Sequence, residues 1–298
     1  MHSLKHFSFA RPELAKQYCE SLVGNGLRDS RSGLFLAAPR RTGKSTFLIE
    51  DLIPAMCKRK WITIYVDLWA EKSRDPVALI VNAILKKIES YEGTVARVAK
   101  ATGLEKVTVM GTLGFNFNKP AVDLTVTDAL EILADVANTP VALIIDEAQH
   151  ALSTKTGIDA MFALKSSRDQ LNLGHIYPSG EQRIFLVMTG SNRDKLAQLL
   201  LKRIHPFFGA EITRFPLLGR DFTDAYADFV NPHLAADNQF DRHDLFEAFK
   251  LIGHRPGLLR HIIEEIESTQ CALHLKTSTN GITRPAPIHS RSLQFDRC

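Results

Sequence analysis

Two short stretches carry side chains of the types and spacing that phosphate chemistry requires. The first is "AAPRRTGKST", residues 37–46. It follows the pattern G-x-x-x-x-G-K-[ST] at Gly43, Lys44 and Ser45, with Ala38 in place of the leading glycine. In such a loop, successive backbone N–H groups curl around phosphate oxygens, and the helix that follows adds a favourable dipole. Lys44 would reach the β- and γ-phosphates, and the Ser45 hydroxyl would serve Mg²⁺. Gly43 has to be flexible because the backbone closes on the ligand there. Position 38 only turns out of a strand, so a methyl group is tolerated. The whole loop, Ala38, Pro39, Arg40, Arg41, Thr42, Gly43, Lys44, Ser45 and Thr46, is the expected cradle for ATP.

The second stretch is "PVALIIDEAQHAL", residues 140–152. Its unbroken apolar run suits a central parallel strand buried on both faces. The run ends in Asp146 and Glu147, at the carboxyl end of a strand, where ligands bind in open α/β sheets. Asp146 would join Ser45 in the Mg²⁺ shell, and Glu147 would polarise an attacking water. Strand-end carboxylates also cap helices, so this stretch gains its meaning from the first.

Both stretches need a particular setting. "SGLFLAA", 32–38, is an apolar run ending at Pro39, and "STFLIEDLIPAM", 45–56, continues with helical spacing at Phe47, Leu48 and Leu52. The loop therefore joins a buried strand to a helix, as the pattern demands.

The pair "APRRTGKST" and "LIIDEAQHAL" resembles the AAA+/STAND group of P-loop ATPases. It is similar to the archaeal-type ATPases and relatives of the Orc/Cdc6 initiators over roughly residues 10–270. The resemblance implies an α/β fold, a P-loop parallel sheet sandwiched by helices, followed by a small α-helical lid. It implies ATP and Mg²⁺ as ligands, and hydrolysis that drives conformational change in a partner or assembly. The STAND relatives imply an alternative, a slow nucleotide-gated switch. The family pattern also places a polar group at the end of a later strand, "RIFLVMTGSN", 183–192. Asn192 and Ser191 are the candidates, with Thr189 behind them; an ordinary helix cap is the other reading. An arginine near the end of the next helix would enter a neighbouring subunit's site. Arg203 is the first choice and Arg214 the second, against a basic last turn favoured by the helix dipole. "GHRPGLL", 253–259, resembles the turn that opens the sensor-2 helix, which brings Arg255 or Arg260 to the γ-phosphate unless they simply line a solvated face.

The remaining elements follow from pattern. Helices are expected over 11–26, 75–88, 125–138 (capped near Thr127 or Asp128), 157–171 and 193–203, and a strand over 61–70. "KVTVMGTLGFNFN" reads as a hairpin within an insertion over 91–124. The α/β domain is expected over 1–217, the lid over 218–270 and a disordered tail over 271–298.

Composition excludes several classes. The net charge of +4 is too small to support nucleic-acid binding, which the motifs leave open. The four cysteines are widely spaced, as expected of reduced thiols rather than a metal site. No apolar run is long enough for a membrane helix, and the N-terminus lacks a signal-type core, so a cytoplasmic location is expected. D-E-A-Q also resembles a helicase motif, but too few residues follow Asp146 for a second RecA-like domain. The adjacent Glu147 suits water activation better than the phosphorylation of a hydroxyl, which speaks against a small-molecule kinase. A homo-oligomer or a partner protein would complete the site.

Overall fold

The computed structural model describes residues 7–26, 28–70, 74–90, 125–174, 181–201 and 205–266. The expected hairpin at 91–124 and tail at 271–298 lie outside the described residues.

The first helix, α1 (Pro12–Val23), stops at Gly24, whose φ of 82° makes the left-handed cap that glycine adopts without strain. Strand β1 (Leu34–Ala37) is buried throughout. The expected helix over 45–56 is one helical run with three parts, together called α2. Lys44–Phe47 is α-helical, Leu48–Leu52 is π-helical and Ile53–Lys58 is α-helical. Pro54 explains the widened turn: it has no N–H to return to Glu50, and its ring crowds that carbonyl.

Strand β2 (Ile62–Asp67) leads to α3 (Pro76–Glu89), whose cap Asp75 accepts from Val77 N at 2.7 Å. Helix α4 (Val126–Ala137) is capped by Thr125 rather than by Thr127 or Asp128. Thr125 and Asp128 exchange hydrogen bonds in a capping box. Strand β3 (Val141–Asp146), a 3₁₀ stretch (Ala148–Ser153) and α5 (Lys155–Gly174) follow. Then come β4 (Ile184–Gly190), α6 (Arg193–Ala197) and β5 (Ile212–Arg214). The helix expected over 193–203 is cut to five residues. Beyond it the chain tightens, with Leu199 N donating to Leu196 O and Leu200 N to Ala197 O, both at 3.0 Å. This turn buries Leu199 and Leu200 in the core, and Phe207 N takes up the Leu199 carbonyl.

The five strands form one parallel sheet in the order β2-β3-β4-β1-β5. Strands β3 and β4 are buried at every position, which their continuous apolar runs require; β2 lies at the edge and alternates. Helices cover both faces. On one, Ile84, Leu130 and Leu164 from α3–α5 pack on Leu143 and Leu186. On the other, Leu22, Phe47 and Met56 from α1 and α2 pack on Leu36 and Phe185.

From Leu218 the described chain is helical: α7 (Arg220–Val230), α8 (Arg242–Leu251) and α9 over 256–266. These helices bury a cluster of their own around Phe222, Leu245 and Phe249. The N-terminal Phe7 and Phe9 join it edge-on, with Phe7 5.9 Å from Phe222 and Phe9 5.5 Å from it. Arg11 fastens this segment to the sheet domain. Its backbone N–H donates to Asp51 Oδ1 at 2.8 Å, and its Nη2 donates to Pro216 O at 2.9 Å. Its guanidinium stacks 4.6 Å from the Phe215 ring centre.

Arg11→Ala should therefore lower stability by about 2 kcal/mol, the sum of a charged hydrogen bond and a cation–π contact. Arg11→Lys keeps the charge but not the planar fork, and should recover less than half. Urea unfolding measures both. An unchanged midpoint in Arg11→Ala would mean that this fastening carries nothing.

Candidate functional site

The loop from β1 to α2 is shaped by two backbone positions. Arg41 has a φ of 64° and Gly43 a φ of 85°, so the chain turns through the left-handed region twice within three residues. Gly43 does so without a Cβ penalty; Arg41 is a strained position, of the kind that collects at ligand sites. Ala38 lies outside that region, and its N–H donates to Gly190 O at 3.1 Å, an ordinary continuation of the sheet. Nothing in its backbone demands glycine, which is why alanine is accommodated. Thr42 is buried, and its hydroxyl staples the loop by donating to Pro39 O at 2.8 Å. Ala38 and Thr42 thus offer the site backbone only.

Lys44 opens α2, and it is buried rather than held out in solvent, with 5% of its surface exposed. Its ammonium donates to Asp146 Oδ1 and, at 2.8 Å, to Thr189 Oγ1, and lies 3.4 Å from Glu147 Oε1. Ser45 Oγ donates to the other Asp146 oxygen at 2.5 Å, and Tyr65 OH donates to the same atom at 3.1 Å. Thr189, at the end of β4, donates to Asp146 as well. The two stretches separated by about a hundred residues meet as the motifs require. Burial alone would raise the Asp146 pKa. The Lys44 charge and the hydrogen bonds from Lys44, Ser45 and Thr189 outweigh it and hold the carboxyl below its ordinary range.

Glu147 follows β3 with a φ of 56°, again left-handed. Its carboxylate accepts from Ser191 Oγ at 2.8 Å and from Gln149 Nε2. Burial opposes ionisation here too, and Lys44, Ser191 and Gln149 together keep the pKa low.

These residues line a pocket of about 600 Å³, with Pro39, Arg40, Arg41, Gly43, Lys44, Ser45 and Thr46 on one side and Asp146 and Glu147 on the other. Arg255, which precedes α9, also reaches it. Arg260 does not. It lines an adjoining pocket of about 290 Å³ with Phe9, Thr46, Leu218 and Tyr226, and it lies 3.7 Å from Glu264. Asn192 is exposed, and its side chain accepts from Lys195 N at 2.9 Å as the cap of α6. It is not among the pocket residues, and Ser191 holds the place beside Glu147 that the strand-end pattern offered to either. Arg214 is exposed at the end of β5, away from the pocket lining. Arg203 lies outside the described residues, and the shortened α6 removes the continuous helix that was to carry it.

Asp67 and Trp69, which line the pocket, and Tyr65, which bonds Asp146, belong to no motif, and Gln149, which bonds Glu147, stands only as part of D-E-A-Q. Asp67 had the best signal, since it ends a strand and pairs in register with Asp146. Among the described residues, no group of three or more His, Cys, Asp or Glu side chains stands together as a metal site. The hydroxyl of Ser45 and the carboxylate of Asp146 are hard oxygen donors, of the kind that hold Mg²⁺ when phosphate and water complete its shell.

The Lys44–Asp146 contact makes two predictions. Removing one partner leaves a buried charge uncompensated, so Lys44→Met should lower the stability of the nucleotide-free protein by about 3 kcal/mol. The double variant Lys44→Met/Asp146→Asn should lose at least about 1 kcal/mol less than the two single losses added. Additive losses in denaturant melts would show that the pair is not coupled. The second prediction concerns acid. Both carboxylates titrate lower when folded than unfolded. Their contribution is present above the unfolded values, about 4, and fades as the pH falls through the folded ones. The wild type should lose melting temperature steeply below about pH 4, and Asp146→Asn less steeply. Parallel profiles would contradict this assignment.

No protein-family model and no curated protein matches the chain. Solved structures do. A Walker-type ATPase of Pyrococcus abyssi superimposes with a TM-score of 0.51 at 16% identity, over 85% of this chain and 65% of that one. The Aeropyrum pernix ORC2 protein in its ADP form gives 0.46 at 16% identity, over 78% and 54%. DnaA from Aquifex aeolicus, bound to AMPPCP, gives 0.43 at 12%, over 89% and 65%. The chain thus spans about half to two thirds of the length of these neighbours. Identity this low speaks to fold alone, and on that footing the chain has the parallel-sheet α/β P-loop fold of the Walker-type ATPase.

Proposed function

We propose that this protein binds Mg·ATP in the pocket between the 38–46 loop and the ends of β3 and β4, and hydrolyses it to drive a conformational change in a partner or assembly. The observation that carries this reading is the meeting of Lys44 and Ser45 with Asp146, beside Glu147, at the mouth of an open pocket. Phosphates would lie on the loop N–H groups, and Lys44 would leave Asp146 for them. Ser45 and Asp146 would hold Mg²⁺, which would supply positive charge to neutralise the phosphates. The base of the nucleotide would lie in the adjoining pocket, where Phe9, Leu218 and Tyr226 supply apolar walls beside Thr46. Glu147 takes a proton from water as the water oxygen bonds to the γ-phosphorus. The bond from that phosphorus to the β–γ bridging oxygen breaks, leaving ADP and phosphate. The helices from 218 onward would act as a lid, with Arg255 reporting the nucleotide's state to them.

One observation favours slow turnover, as in a nucleotide-gated switch. The Glu147 carboxylate is engaged by Ser191, Gln149 and Lys44, so the base is restrained until those bonds rearrange. The partner that would complete the site, through Arg203 or otherwise, belongs to the same proposal. Nucleic acid is not proposed as a ligand, since the net charge is only +4.

Calorimetry and turnover test the reading together. Lys44→Ala should abolish measurable Mg·ATP binding. Asp146→Asn should bind nucleotide weakly and lose the dependence on Mg²⁺. Glu147→Gln should bind as the wild type does and hydrolyse about 10²–10⁴-fold more slowly. Wild-type turnover in Glu147→Gln would remove it as the base. A single-turnover rate far above the steady-state rate would favour the switch.

A further inference from the structure

Arg40 has a place in this pocket that the loop pattern does not call for. The pattern leaves its position open, and the neighbouring Arg41 and Thr42 show what loop residues do otherwise: one turns the backbone and one staples it. Arg40 instead sends its guanidinium across the pocket to two separate strands. Its Cζ stands 4.4 Å from the centre of the Trp69 ring, just beyond the end of β2. Its Nε donates to Ser191 Oγ at 3.2 Å, just beyond the end of β4. Ser191 in turn donates to Glu147 at 2.8 Å. The guanidinium is therefore one hydroxyl away from the carboxylate that would activate water. All three residues, Arg40, Trp69 and Glu147, line the same pocket as Lys44.

We propose that Arg40 is the site's own arginine for the γ-phosphate, acting from within the phosphate loop rather than from a neighbouring molecule. This rests on the ATP-site reading above and replaces the partner's Arg203 in it, leaving the partner only as what the conformational change acts on. Three features of the chemistry support the role. A guanidinium is always charged and offers five N–H donors in a plane. Among the described residues its hydrogen bond uses Nε, which leaves the terminal N–H groups for oxygens of an anion. The Trp69 face holds the ion without neutralising it, as a carboxylate partner would. The bond to Ser191 links the cation to Glu147, so a phosphoryl group that draws Arg40 toward it also disturbs the hydroxyl that restrains the base. The other arginines are placed less well. Arg255 stands on the helical side of the pocket, and Arg260 lines the adjoining one. Charge at the transferring group is then met in cis.

The test uses binding as well as rate. Retention of labelled ADP by the full chain is measured with Mg²⁺ alone and with Mg²⁺ and aluminium fluoride, a mimic of the transferring phosphoryl group. In the wild type, aluminium fluoride should tighten ADP retention, and by the same factor over a hundredfold range of protein concentration. Arg40→Ala should lose that tightening at least tenfold, measured against its own ADP retention without fluoride, and hydrolyse ATP about 10²–10³-fold more slowly in a single turnover. Arg40→Lys, a point charge without the fork, should fall between them. Equal tightening in Arg40→Ala, or tightening in the wild type that appears only at high protein concentration, would overturn the proposal. Wild-type protein that retains no ADP under any condition would instead overturn the ATP-site reading, and this proposal with it.

Discussion

The structure turns on a buried ion pair between Lys44 and Asp146. Moving an ammonium and a carboxylate out of water costs several kcal/mol each, and their attraction offsets that only when further hydrogen bonds satisfy both ions. Here they do. Thr189 donates to Asp146 and accepts from Lys44, while Ser45 and Tyr65 take the second carboxylate oxygen. These five side chains come from the ends of β2, β3 and β4 and from the first turn of α2. The sheet order makes their meeting inevitable: β4 lies between β1 and β3, so the loop that leaves β1 passes the end of β4 to reach the carboxylate on β3. A crevice of this kind forms where neighbouring strands send their connections apart, and ligands bind there in open α/β sheets.

Much of this was legible because the signals are local. A strand buried on both faces must read as an apolar run, and "VALII" before Asp146 does. A helix opening on a glycine loop reads as such from Gly43 onward. The parts that stayed hidden depend on residues distant in sequence. Nothing near Lys44 announces that its charge is buried, since that is decided by Asp146, Thr189 and Tyr65 together. Trp69 and Arg40 carry no pattern that would join them. Asn192 and Ser191 are adjacent, and only the direction of α6 decides which one caps the helix and which one faces Glu147. Helix α6 is shorter than its sequence suggests for a related reason: burying Leu199 and Leu200 outweighs the helical propensity of "RDKLAQLLLKR". The π turn in α2 was in principle readable, because Pro54 stands four residues after Glu50.

The N-terminal residues matter more than their irregular conformation suggests. Phe7 and Phe9 complete the aromatic cluster of the C-terminal helices, while Arg11 is bound to α2 through Asp51 and to the segment after β5 through Pro216. The adjoining pocket is walled by these same residues together with Thr46 and Leu218. A group seated there touches the phosphate loop, the N-terminal segment and the helices at once. His254, left-handed with a φ of 55°, ties the turn before α9, which carries Arg255, back to Leu218 O at 2.8 Å.

The charge around the loop explains how such a site can be both stable when empty and open to a polyanion. Lys44 is matched by Asp146 and Glu147, so it adds little net field at the pocket mouth while it remains paired. Among the described residues, Arg40 and Arg41 on the loop and Arg255 before α9 line the pocket, and Arg40 is held in place by Trp69 and Ser191. On the ATP-site reading, Lys44 exchanges Asp146 for phosphate as Asp146 exchanges Lys44 for Mg²⁺. Each buried ion keeps an opposite charge throughout, and no unpaired state has to be crossed. The incoming phosphates bring negative charge beyond what Lys44 and Mg²⁺ would meet, and the γ-phosphate gains more of it as the bond breaks. A cation is suited to that place. The loop that begins the exchange through Lys44 thus also carries, four residues earlier, the group suited to its last step.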